Sequence, residues 1–409
     1  MSDVSRRSAL GAAAVGAGAV LASCSSEPEA GRGASTSPSR RTTKPSSPTP
    51  SPTPTGKTIG DGSMSDTGPQ PHQPPAPTRL KAGQKPPQFV VISWDGAGES
   101  SLKLNSHFQD VAREYKASMT FFLSGIYFLP RSKKALYHPP RHRVGASDIG
   151  YFPDDWIHAT IEQTGKAWLA GHEIGTHFNG HFCGPTGVSQ WSPADWKVEI
   201  DYVHRFVSQW RTNTGFTDLP SLPFDYTKEL VGGRAPCLEG FENLRKAAGQ
   251  LGWRYDSSGT RPASWPSKVS GVWDLSMQPI PLPGTRAGVI SMDYNFMANQ
   301  SRVTQGDPAM RPTWKKQTVK SYADGFRRSY NGNRSPLVIG NHFEHWNGGI
   351  YMDAVTEAMA TMAKCEDTRF VTFKQLCDWL DAQDPAVLDK LQHLNEAPTG
   401  GWDEYLQLT

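Results

Sequence analysis

Short apolar runs recur along the chain, each closing on a polar or glycine-bearing turn, and segments with apolar residues at helical spacing lie between them. Phe89-Val90-Val91-Ile92-Ser93 predicts a buried strand, and Trp94-Asp95-Gly96 the loop that follows it. Leu104, Phe108, Val111, Ala112 and Tyr115 then repeat at helical spacing, and residues 119–125, MTFFLSG, predict a second buried strand. Residues 155–170 read as a helix running into GHEIGTHFNGH. Ser192-Pro193 starts another helix, with serine as N-cap and proline in the first turn; Trp196, Ile200, Val203, Val207 and Trp210 form its apolar stripe. A helix over 241–251, a strand at Trp253-Arg254-Tyr255-Asp256, a late strand over 336–340 and helices near 350–364 and 373–381 complete the pattern. Strands alternating with helices imply a largely parallel α/β fold with its chemistry at the strands' C-terminal ends. No internal repeat is visible.

The pattern is absent before residue 89, and composition explains why. All 42 aromatic residues of the 409-residue chain lie in 89–409. Large apolar side chains are what a core is built from, so one aromatic-rich domain is expected behind a long unfolded lead. Of the net charge of +3, residues 1–23 carry +1 and residues 24–88 carry +4, which leaves −2 for the remainder. A domain with that balance is not expected to bind nucleic acid.

The first 23 residues have the form of an export signal: Arg6-Arg7 ahead of an apolar run of small residues, closing on Leu21-Ala22-Ser23-Cys24. Ser5-Arg6-Arg7 with Leu10 resembles a twin-arginine motif, with Ala9 in place of the usual bulky residue. Leu21 to Cys24 resembles a lipobox, which implies lipidation of Cys24 and an exported lipoprotein on the outer face of the cytoplasmic membrane, within the cell wall. Residues 24–88, rich in Pro, Ser and Thr, read as a disordered tether. The domain is expected over 89–384, with 385–409 as a C-terminal tail.

Three candidate chemical features stand at predicted strand ends: Asp95, the pair His177 and His181, and His342 in VIGNHFEHW. A spacing of four lets two imidazoles face one point on a helical turn. Two imidazoles and a carboxylate suit a borderline divalent metal, Zn²⁺ first, with positions left open for water and substrate.

Residues 87–381 resemble the polysaccharide deacetylases, the family-four carbohydrate esterases, and among them the chitin deacetylases. The resemblance rests on motifs in order: VVISWDGAG, MTFFLSG, GHEIGTHFNGH, GGRAPCLEG followed by GWRYDSS, GVWDLSMQP, SPLVIGNHFEHW and FVTFKQLCDWL. It implies a distorted (β/α) barrel and metal-dependent hydrolysis of N-acetyl groups on a cell-wall or chitin-like polysaccharide. It makes Asp95, His177 and His181 the metal ligands, His342 the general acid and Arg234 the residue that orients the first-motif carboxylate. Trp273 and Trp346 are expected to stack on sugar rings, and the protein to act as a monomer.

One departure stands out. The family's first motif has two adjacent aspartates before glycine, a general base and then a metal ligand. Anchored on Gly96, the ligand is Asp95 and the base position holds Trp94, whose indole accepts no proton. Glu99, Asp293 and Glu344 are the carboxylates near enough in sequence to substitute, and a silent relative that binds wall glycan is the alternative to an enzyme. Beyond Cys24, four cysteines in an exported protein imply two disulfides, expected as Cys183–Cys237 and Cys365–Cys377. HPPRHR, at 138–143, reads as a surface loop.

Overall fold

The computed structural model describes residues 56–286 and 288–407. The expected signal over 1–23, Cys24 and the first part of the tether lie outside them. Among the described residues no helix is long and apolar enough to cross a membrane.

The chain begins with a hairpin, β1 (Lys57–Ile59) against β2 (Met64–Asp66), then runs into β3 (Gln88–Asp95). α1 (Leu104–Glu114), β4 (Thr120–Leu123), α2 (Asp154–Leu169), β5 (Glu173–Thr176), α3 (Pro193–Ser208), α4 (Trp210–Thr214), α5 (Tyr226–Glu229), β6 (Gly232–Gly233), α6 (Phe241–Gln250) and β7 (Tyr255–Asp256) alternate as the pattern predicts. After these come β8 (Lys268–Val269), β9 (Val272–Asp274), a ribbon of β10 (Pro279–Pro281) and β11 (Gly288–Ile290), α7 (Asp293–Ser301) and α8 (Arg311–Asn331). The chain closes with β12 (Leu337–His342), α9 (Ile350–Met362), β13 (Thr368–Phe370), α10 (Phe373–Ala382), α11 (Pro385–Gln392) and α12 (Trp402–Tyr405).

The main sheet has nine strands in the order β12-β3-β4-β5-β6-β7-β9-β8, with β13 also on β3. Every pairing is parallel except β8 with β9. The result is a mixed α/β fold around a curled, half-barrel parallel sheet, as the alternation implied. Helix starts follow local chemistry. Ser192 and Asp195 form a capping box with Pro193 in the first turn of α3, and Thr372 with Gln375 forms another at α10.

Strand parity divides the core. On β3, Val90, Ile92 and Trp94 belong to the cluster between sheet and outer helices, whereas Phe89 and Val91 belong to a second cluster inside the sheet's curve. Ile174 of β5 and Ile339 of β12 face outward in the same way, and Val338 inward. α10 closes the end of the barrel at the strands' N-termini: its Phe373 stacks on Tyr255 at 4.9 Å, and its Trp379 packs 5.0 Å from Phe89.

The lead-in differs from the expectation of disorder up to residue 88. Residues 56–84 are bound to the domain through hydrogen bonds rather than aromatic packing. Trp210 Nε1 donates to the Ser63 carbonyl at 2.7 Å, and Gln70 Nε2 to the carbonyls of Trp168 and His172 at 2.9 and 2.7 Å. Gln383 Oε1 accepts from the Leu80 amide at 2.8 Å, and Met64 and Leu80 are buried. Trp168 and His172 precede β5, and Gln383 ends α10, so this strap crosses the end of the barrel away from the strands' C-termini. The C-terminal tail packs there too: Val387, Leu391 and Leu406 are buried, and the Gly83 amide donates to the Leu406 carbonyl at 3.0 Å.

Candidate active site

Parallel register gathers the polar side chains. β12 pairs with β3 so that His342 stands opposite Asp95, and β5 pairs with β6 at Thr176 and Gly233, which places His177 beside Arg234. Inward parity along each strand carries Ser93 and Asp95, Glu173 and His177, and Val338 and His342 to the same side. Asp95, His177, His181 and His342 line one cavity of about 410 Å³ at the strands' C-terminal ends, with Ser124, Tyr127, Tyr294 and Trp346 among its walls.

Arg234 is fully buried and binds the first-motif carboxylate, as expected. Its Nη1 donates to Asp95 Oδ1 at 2.8 Å and to Ser93 Oγ at 2.9 Å; Nε and Nη2 donate to the Ser257 carbonyl at 3.1 Å and its Oγ at 2.8 Å. Burial alone would raise the Asp95 pKa. The Arg234 guanidinium first, and then the His342 imidazolium, outweigh burial and hold it below the ordinary value, so the carboxylate stays ionised.

His177 Nδ1 meets the Arg234 carbonyl oxygen at 2.8 Å, which leaves Nε2 as the buried nitrogen with no hydrogen-bond partner. An imidazole fixed through one nitrogen by a carbonyl, with the other bare in a cavity, is how proteins present a metal ligand. Burial keeps the ring neutral by lowering its pKa. His181 is lowered to about 3, by burial first and then by His177. Two neutral imidazoles and an ionised carboxylate are donors that suit a divalent cation, which His177, His181 and Asp95 would hold, although their ligand atoms do not all lie within 4.8 Å of one another here. Among the described residues, the trio whose ligand atoms all lie within 4.8 Å of one another is a different one, His181 with Cys183 and Cys237.

The two histidines do not share a helical turn. They sit on a loop that turns back through positive φ at Phe178 (62°) and His181 (57°), with ring centroids 4.9 Å apart. Glu199 of α3 holds that loop: its carboxylate accepts from the Asn179 amide at 3.0 Å and from Tyr137 Oη at 2.9 Å.

His342 Nδ1 donates to Asp293 Oδ1 at 2.8 Å, and its backbone N–H donates to Asp293 Oδ2 at 2.7 Å. Burial pushes the His342 pKa down, but Asp293 and then Asp95 raise it above the ordinary value. Asp293, at the start of α7 and fully buried, is therefore a partner of His342, not a freestanding base. Its signal in the sequence, SMDYN, is weak.

Four expectations are corrected. Trp94 does not reach the site. It faces outward with Val90 and Ile92, its Nε1 donates to Met119 Sδ at 3.3 Å, and its ring stacks on Phe343 at 4.6 Å. The bare position is Gly96: a Cβ there would lie 3.7 Å from Tyr127 Oη and 3.9 Å from Ser124 Oγ, both cavity residues. Trp273 is a core residue of β9, with Nε1 donating to Asp381 Oδ1 at 2.9 Å and Lys268 over its ring, whereas Trp346 does line the cavity. Glu99 is buried away from the cavity and accepts from the Ser106 amide at 3.0 Å; Glu344 is at the rim. The Cys183–Cys237 disulfide forms, with Cα atoms 6.0 Å apart. Cys365 and Cys377 are not joined, because Cys377 is buried in the inner cluster while Cys365 packs on the outer one.

No protein-family model matches the chain, and no curated protein matches it. Solved structures do. A polysaccharide deacetylase candidate from Mycobacterium smegmatis is 16% identical with a TM-score of 0.47, the likeness covering 76% of this chain and 95% of that one. A family 4 carbohydrate esterase from Streptomyces lividans, solved with acetate, is 14% identical with a TM-score of 0.34, covering 69% and 91%. A mutant of the peptidoglycan deacetylase PdaC from Bacillus subtilis is 13% identical with a TM-score of 0.36, covering 72% and 92%.

Proposed function

We propose that this chain is a metal-dependent polysaccharide deacetylase that hydrolyses N-acetyl groups on a cell-wall or chitin-like glycan. One observation carries the reading: an ionised carboxylate, two neutral imidazoles and a carboxylate-backed histidine line a single cavity at the strands' C-terminal ends.

A divalent cation, Zn²⁺ first among those the donors suit, supplies Lewis acidity toward the acetyl carbonyl and acidifies bound water. His177 and His181 present it with neutral nitrogens. Asp95, fixed by Arg234, is the one carboxylate at the place where the family has two. It takes the proton of the attacking water as well as facing the metal. His342, its imidazolium favoured by Asp293, gives a proton to the leaving amine. Trp346 and Tyr294, 5.8 Å apart at the rim, offer ring faces to sugars. All these groups come from one chain, which suits a monomer. Export and anchorage through Cys24 complete the proposal and would hold the domain at the outer face of the membrane.

Gly96 favours a second reading, a silent relative that binds wall glycan, since a side chain there would enter the cavity. Acetate release from N-acetylglucosamine oligomers and peptidoglycan by Zn²⁺-loaded protein decides between them. Release that is lost in His177→Ala supports the enzyme. Glycan binding without release from any of these polymers supports the silent relative.

A further inference from the structure

The Cys183–Cys237 disulfide ties the loop that carries His181 to the loop that follows Arg234, across 54 residues of sequence. His181 Nδ1 lies 3.6 Å from Cys183 Sγ. With Cys237 Sγ, these atoms form the trio that lies within 4.8 Å of one another, and Cys237 is exposed while His181 and Cys183 are half-buried. We propose that this disulfide is a masked soft-metal site: its reduction creates a Cys₂His centre for a thiophilic divalent cation, built on the same His181 that lines the catalytic cavity.

The dimensions suit the ion. With Zn–S bonds of about 2.3 Å and Zn–N bonds of about 2.0 Å, a tetrahedral site holds its sulfurs about 3.8 Å apart and nitrogen about 3.5 Å from sulfur. The nitrogen-to-sulfur edge already stands at 3.6 Å. Two sulfurs released from a bond part to roughly van der Waals contact, near the other edge, so the loops need not be rebuilt. The fourth position, on the exposed side of Cys237, is left to water. Soft thiolates favour Zn²⁺ or Cd²⁺ over harder cations, which separates this centre from the imidazole and carboxylate set deeper in the cavity.

The reduction is a thiol–disulfide exchange with a dithiol. The dithiol's two sulfurs join as a disulfide, and its two electrons and two protons pass to Cys183 Sγ and Cys237 Sγ. The cation then displaces both thiol protons to solvent. Exposure of Cys237 gives the reductant its point of attack.

This inference does not depend on the hydrolytic reading, and its test measures no activity. The full chain is reduced with a dithiol, freed of reductant without air, and titrated with Cd²⁺. A thiolate-to-cadmium ultraviolet band is expected that saturates at one ion per chain and is absent from the oxidised protein. Cys183→Ser and Cys237→Ser abolish it, while replacement of Cys24, Cys365 and Cys377 together leaves it in place. His181→Ala shifts the ¹¹³Cd resonance as one nitrogen donor is lost. In the unsubstituted reduced chain, Cd²⁺ shields Cys183 and Cys237 from iodoacetamide, which reads the site without any variant. Near-ultraviolet circular dichroism follows packing throughout. A band that survives Cys237→Ser, a reduced chain that takes up no Cd²⁺, absent shielding, or packing lost on reduction each overturns the proposal.

Discussion

Two buried arginines in this domain do different things with the same kind of partner, a buried aspartate. Arg245 of α6 donates to Asp256 Oδ2 at 2.7 Å and to Asp274 Oδ1 at 2.8 Å, and Asp256 Oδ1 accepts from the Ser258 amide at 3.2 Å and its hydroxyl at 2.5 Å. That cluster is closed, both carboxylates being occupied by neighbours. Arg234 binds Asp95 just as closely, yet its cluster opens on a cavity and lies beside a His177 nitrogen that has no partner. The electrostatics divide accordingly. Burial raises the Asp256 pKa despite Arg245, whereas around Asp95 the His342 imidazolium joins the guanidinium and lowers it. A buried ion pair alone does not mark a site; what sets this one apart is an unpartnered imidazole nitrogen beside it on the wall of a cavity.

The contrast breaks most decisively at the carboxylates. Asp95→Asn is expected to cut acetate release by about 10²–10⁴-fold and, by leaving the buried Arg234 guanidinium without its counter-charge, to lower the urea midpoint as well. Asp256→Asn should lower the midpoint while release is retained, and equal losses of activity in both variants would erase the distinction. Next in size, Arg245→Met leaves Asp256 uncompensated and should cost about 3–5 kcal/mol in urea unfolding. A midpoint near the wild type would mean that the closed cluster is not structural.

The histidine pair sharpens the open cluster through pH. Asp293 raises the His342 pKa, so Asp293→Asn should move the alkaline fall of the rate to lower pH, an unmoved limb counting against the pair. The sign for stability follows. A raised folded-state pKa contributes stability that is fully present below the unfolded value of about 6.5 and disappears as pH rises through the folded one. Urea midpoints of wild type and variant should therefore diverge in acid and converge in base.

Gly96→Asp adds the carboxylate that the cavity lacks. It should tighten metal binding roughly tenfold, the low end for one supporting group at a metal, against a cost of about 1–2 kcal/mol for a side chain at positive φ. Calorimetry that finds weaker binding would remove position 96 from the site. The smallest effect belongs to Trp94→Phe, under about 1.5 kcal/mol with acetate release unchanged. A large loss of release there would return the indole to the cavity.

Much of this was legible in the sequence. Asp95, His177 and His342 could be placed at strand ends because apolar runs stop where a loop begins, whereas Arg234 was reached only through the family resemblance. The side on which each one points was not, because β3 is buried along its whole length and a strand covered on both faces has no polar alternation to read. That is why Trp94 was assigned a cavity it never faces. Residues 56–84 were missed for another reason: they dock through glutamine amides and carbonyls, with Met64 and Leu80 their main buried apolar side chains, and composition registers none of this. Trp273 and Trp346 are the same residue type near comparable motifs, and only β9's place in the sheet distinguishes core from rim.

The strap leaves one geometric legacy. Because residues 56–84 approach beneath the barrel, none of them borders the catalytic opening. Under the proposed reading, a glycan laid across that opening meets none of residues 56–84.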